Sequence, residues 1–140
     1  RRSSDLPGIA MIITSQVLDG ARIKTTIDSK FVVDCDQPAP FGEDTAPAPY
    51  DLFLSGVAAC TAYFAQRYCR KWSLSHEGIS VDLEPVFNAQ HVLVEIRLRL
   101  KVPAAFPRDH LPGLLRNAQA CPVKKALESP PTISLETVGV

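Results

Sequence analysis

The stretch "DLFLSGVAACTAYFAQRYCRKW", residues Asp51–Trp72, decides how the rest of the chain is read. Its spacing predicts a helix: Pro49 stands just ahead, and Asp51 in the opening turn suits the positive end of the helix dipole. Apolar residues cover nearly every side of the first half, which predicts a helix in the middle of the molecule. The second half is amphipathic, with Arg67, Arg70 and Lys71 reaching water. The uncharged run from Leu52 to Ala65 is too short for a membrane span, so it reads as a buried helix.

Two cysteines share this helix, Cys60 and Cys69. Nine residues at 3.6 per turn send them in opposite directions, so one site cannot use both. Cys60 has Gly56, Val57, Tyr63 and Phe64 as same-face neighbours, and small residues around it allow a close approach to the backbone. By periodicity alone it is a small buried hydrophobe. Cys121 opens a later segment, "CPVKKALES", where Pro122 suits a first helical position. A thiol at a helix N-terminus, with Lys124 and Lys125 one turn on, has a physical reason to be reactive; an N-terminal cap is the alternative.

Outward from the helix, Ile9–Val17, Arg22–Ile27 and Lys30–Cys35 read as three strands of an antiparallel meander. The Pro-, Gly- and acid-rich segment that follows predicts a long irregular loop, a functional element or a crossing between subunits. Strands follow at Gly78–Leu83 and His91–Val102. In the second, Val92, Val94, Ile96, Leu98, Leu100 and Val102 share one face, with Glu95, Arg97 and Arg99 on the other. Then come a helix over "RDHLPGLLRNAQA", the helix after Cys121, and a closing strand over "PPTISLETV". The order β-β-β-α-β-β-α-α-β is an α+β fold.

The 140 residues suit one domain, read as residues 9–140 behind an N-terminal tail at 1–8. Fifteen basic residues balance fifteen acidic ones, which argues against nucleic acid or a membrane surface as partner. The basic start lacks a signal peptide's apolar core and cleavage site, so the expected compartment is the cytoplasm. Four cysteines without a C-x-x-C pair, and three histidines (His76, His91, His110) without ligand spacing, predict no metal and no other cofactor. The histidines read as surface or turn residues.

"APAPYDLFLSGVAACTA" followed some sixty residues later by "ACPVKKALE" resembles the family of osmotically inducible protein C and organic hydroperoxide resistance proteins (OsmC/Ohr), over roughly Ile9 to Val138. The resemblance implies antiparallel sheets packed around a central buried helix, in an intertwined homodimer whose chains cross through Pro38–Pro49. It implies a thiol peroxidase of the cytoplasm: Cys60 attacks an organic hydroperoxide, Cys121 resolves the resulting sulfenic acid as a disulfide, and a lipoyl- or thioredoxin-type dithiol restores the pair. Tyr50, Asp51, Phe53, Val57, Tyr63 and Phe64 would line the substrate site. A buried thiolate needs a cation. Arg22 is nearest in order to the family's strand arginine, and Arg67, two turns beyond Cys60, is the substitute. The sequence departs from the family pattern at Tyr50, where the best-characterised members carry a glutamate, and so looks closer to a divergent branch. The alternative is a dimeric protein of the same fold that holds an apolar ligand at Cys60 without turnover.

Overall fold

The computed structural model describes residues 11–139, and the expected tail at 1–8 lies outside them. The chain forms two compact units, one running to Phe53 and the other from Leu54. The fold is α+β with antiparallel sheets, as the sequence predicts.

The first unit is a meander of β1 (Ile13–Val17), β2 (Ile23–Ile27) and β3 (Phe31–Cys35), in that order across the sheet. The β1–β2 turn closes with Arg22 N–H donating to the Asp19 carbonyl, and Gly20 takes the positive φ of 64° the turn needs. Between β2 and β3, Asp28 and Ser29 both adopt positive φ, the pairing of a tight hairpin turn that suits the sheet's twist. Beyond β3 the Pro-rich segment is an ordered loop built on one side chain, Asp36. Its Oδ1 accepts the Gln37 N–H at 2.8 Å, and its Oδ2 accepts the Thr45 N–H at 3.1 Å and the Thr45 hydroxyl at 2.6 Å. Gly42 passes so close that an added Cβ would stand 2.4 Å from Oδ1 and 2.5 Å from the Gln37 carbonyl. The loop therefore has a fixed shape, which its composition conceals.

Helix α1 (Pro49–Lys71) starts with proline at its first position, where the missing N–H costs nothing. Asp51 reaches back to accept the Ala48 N–H at 3.1 Å, the acidic half of a capping box. At the far end Ser73 takes a φ of 53° and the Leu74 N–H returns to the Cys69 carbonyl at 2.8 Å, the six-to-one bond of a Schellman turn. Along α1 the buried residues are Val57, Thr61, Ala65 and Cys69, one stripe at four-residue spacing.

In the second unit, β4 (Ser80–Phe87) and β5 (Leu93–Lys101) form an antiparallel hairpin. Leu83, Leu98 and Leu100 are half-buried, while Asp82, Glu84, Arg97, Arg99 and Lys101 form ion pairs on the wet face. The alternation fails at one end of β5. Val86 faces Glu95, yet Phe87 faces Leu93, so Val94 is skipped and the register shifts. Val92 and Val94 are exposed and Leu93 turns inward, which corrects the face expected for them.

A 3₁₀ turn (Arg108–His110) leads into α2 (Leu111–Ala118), and α3 (Pro122–Glu128) follows. Ala65, Cys69, Phe106, Leu114 and Ala118 make the buried core, with Leu74, Leu100 and Leu111 packed against it. The expected closing strand over 130–138 is not formed in this chain. Residues 130–139 carry no regular structure, and Ile133, Leu135 and Val138 lie exposed. A strand needs a neighbour to satisfy its backbone, and none pairs with this segment among the described residues.

The Asp36 carboxyl is held well below the ordinary value of 3.8, at about 2, chiefly by the Thr45 hydroxyl and then by the Gln37 N–H. A carboxyl depressed in the fold stabilises it fully above 3.8, and that share is lost as pH falls toward 2. Asp36→Asn should therefore lower the neutral-pH melting temperature and flatten its fall over that acid window. An acid limb that matches wild type would contradict this role.

Candidate functional site

The cysteine pair is set by two elements of the second unit. Cys60 lies midway along α1, half-buried, and Cys121 is the residue before α3, with no exposed surface. Both are free thiols. Cys121 and the Val123 N–H in the first turn of α3 are the neighbours that act on the Cys60 thiol. Cys121 makes no side-chain capping bond to its own helix.

The electrostatics of Cys60 are mixed. Burial, most of all, pushes its thiol up, and the neighbouring Cys121 adds to this, while the Val123 N–H opposes it by stabilising the thiolate. Cys69, turned the other way as the helical period requires, is fully buried in the core, where burial raises its thiol too. Cys35 is buried at the end of β3 in the first unit.

The expected lining residues divide between the units. Tyr50, Asp51 and Phe53 belong to the first; Tyr50 and Phe53 meet edge to face at 5.5 Å, and Asp51 is engaged in capping α1. Val57 is buried. Tyr63 and Phe64 meet edge to face at 5.3 Å, and Tyr63 also lines a cleft of about 310 Å³ with Ala59, Ala62, Gln66, His76 and Ile79. A smaller apolar cavity of about 140 Å³ runs between Thr61, Leu98, Leu100, Leu115 and Ala118, with Lys124 at its wall.

Of the arginines, Arg22 is ion-paired with Asp19 in the β1–β2 turn of the first unit. Arg67 stacks over the Phe64 ring at 5.6 Å. Lys124, one turn past Cys121, pairs with Glu128 at 3.6 Å. Among the described residues no cluster of His, Cys, Asp or Glu could hold a metal, and no helix is long and apolar enough to cross a membrane.

Three contacts near the pair carried no signal in the sequence. The Asn117 side-chain amide donates to the Phe64 carbonyl at 2.5 Å. The Tyr68 hydroxyl is hydrogen-bonded to His110 Nδ1 at 2.8 Å, and Trp72 packs on the same imidazole. Gly113 lies against Tyr68 so closely that an added Cβ would stand 2.4 Å from the hydroxyl. His110 thus sits in a turn, as expected, but its ring belongs to the α1–α2 seam.

The profile of the family described as OsmC-like protein matches residues 42–136. No curated protein matches the chain. Among solved structures, an OsmC-like protein from Mycoplasma pneumoniae is similar at a TM-score of 0.71 and 16% identity, covering 88% of this chain and 90% of that one. An organic hydroperoxide resistance protein OsmC from Legionella pneumophila gives 0.56 and 19%, covering 87% and 91%. The organic hydroperoxide resistance protein OhrB of Bacillus subtilis gives 0.56 and 19%, covering 87% and 93%. At these identities the likeness establishes the fold.

Proposed function

This chain belongs to the OsmC-like protein family, and from that premise we propose that it reduces organic hydroperoxides to alcohols with the thiol pair Cys60 and Cys121. One observation carries the reading: a half-buried thiol stands within reach of a fully buried one. That asymmetry supports the proposed order of events. A hydroperoxide from solution meets Cys60, and Cys121 is kept for the second step.

In the first step the Cys60 thiolate attacks the distal oxygen of R–O–OH. The O–O bond breaks, the alkoxide takes a proton and leaves as alcohol, and Cys60 becomes a sulfenic acid. Cys121 then attacks that sulfur, expelling water and closing a disulfide. A lipoyl- or thioredoxin-type dithiol returns both cysteines to thiols. The Val123 N–H helps hold charge on Cys60. Burial opposes it, so the mechanism needs a cation, for which Arg22 of a second copy is the proposed source. The names of two solved relatives, organic hydroperoxide resistance proteins, support the same chemistry.

The second copy is part of the proposal. Residues 130–139 expose Ile133, Leu135 and Val138 with no strand partner among the described residues, and every residue of β1 is exposed. An intertwined homodimer covers such surface, with an interface of the obligate class above about 2,000 Å². The reducing cytoplasm is the compartment that suits a cycle beginning from free thiols. One specific observation favours a second reading, a ligand-binding protein without turnover: burial and Cys121 both raise the Cys60 thiol.

Turnover of cumene hydroperoxide with a dithiol reductant separates the two readings. Cys60→Ser should abolish it. Cys121→Ser should permit one oxidation per chain and leave a trappable sulfenic acid on Cys60, and Arg22→Ala should lower kcat/KM. A wild-type rate no greater than that of a free thiol in solution would replace the enzyme with the binding protein. For the assembly, sedimentation should show a dimer and a melting temperature that rises with concentration. A folded 15.3 kDa species at micromolar concentration would contradict it.

A further inference from the structure

We propose that Asn117 is a positioning residue that holds Cys121 in register against Cys60. The inference rests on the reading of these cysteines as a dithiol–disulfide pair.

Three contacts follow one another along the seam of α1 with α2: Cys60 with Cys121, the Phe64 carbonyl with the Asn117 amide, and Tyr68 with Gly113. Each step forward along α1 is four residues, and each matching step back along the other strand of the seam is also four. The two segments therefore run in opposite senses, with one turn of helix between contacts. Asn117 grips α1 one turn beyond Cys60 and lies one turn before Cys121.

Apolar packing does not fix that register. Leu114 and Ala118 are buried in the seam, but contacts between such side chains have no direction and tolerate a slide or a rotation. The Asn117 bond has direction. The Phe64 carbonyl has two lone pairs: the helix uses one, and the other takes the Asn117 amide. The chain from Asn117 to Cys121 is also stiff, because the Gln119 N–H returns to the Leu115 carbonyl and the Ala120 N–H to the Asn117 carbonyl, each at 3.1 Å. Where Asn117 is held, Cys121 follows. Asparagine is a poor helix former in a helix of eight residues that already contains Pro112 and Gly113, so its place there is not explained by helix stability.

The register is read by the effective concentration of Cys121 toward Cys60, obtained by titrating the full-length protein against oxidised and reduced glutathione. This needs no peroxide. Asn117→Ala should lower that value about fivefold or more, the worth of one hydrogen bond. Asn117→His should restore it, since the imidazole Nδ1 can take the place of the amide nitrogen. A structural role alone would lower the melting temperature of both variants without this split. If Asn117→Ala does not fold, Asn117→Asp carries the test, because it keeps the volume and loses the donor. A wild-type effective concentration in the variant that lacks the donor overturns the inference and leaves the cysteine pair intact. Failure of the wild type to form any Cys60–Cys121 disulfide overturns both.

Discussion

The seam between α1 and α2 is the constraint on which the rest of the second unit depends. A single stripe of α1, Val57, Thr61, Ala65 and Cys69, is buried, and Ala65 and Cys69 share the core with Leu114 and Ala118 of α2. Side chains of the two helices, rather than a close approach of their backbones, make the seam. At Gly113 any side chain would collide with Tyr68. The polar contacts of the seam sit among these apolar ones and supply the direction that packing lacks. Because only three residues separate the end of α2 from the start of α3, placing α2 also places Cys121 and the Val123 N–H.

That arrangement gives two chemically identical side chains different surroundings. Both cysteines are close, yet only one meets solvent, and only that one faces the N–H at the start of α3. Cys69, on the same helix as Cys60, shows what the opposite face does to a thiol: it becomes a core residue. Cys60 and Cys69 differ by helical phase, since nine residues at 3.6 per turn place them on opposite faces of α1.

Much of this was legible beforehand because it depends on period. The opposed phases of Cys60 and Cys69, the α1 boundaries to within two residues, and the alternation of Ile96, Leu98 and Leu100 all follow from local spacing. What was hidden depends on partners distant in sequence. Val94 breaks the alternation because β4 meets β5 with a residue to spare, which β5 alone cannot reveal. The strand pattern at 130–138 is genuine in composition, but a strand forms only against a neighbour. Asp36 resembles any acidic loop residue until Thr45 and Gln37 close around it. Asn117 carries no local mark, because its partner is a backbone carbonyl 53 positions earlier.

The proposed activity stands on Cys60 and Cys121 acting as one redox pair. Its most direct test is peptide mapping by mass spectrometry after the reduced protein meets one equivalent of an organic hydroperoxide per chain. The predicted product is a single intramolecular disulfide joining Cys60 to Cys121, with Cys35 and Cys69 recovered as thiols. A disulfide through Cys69 or Cys35, or oxidation of Cys60 that never reaches Cys121, would contradict it.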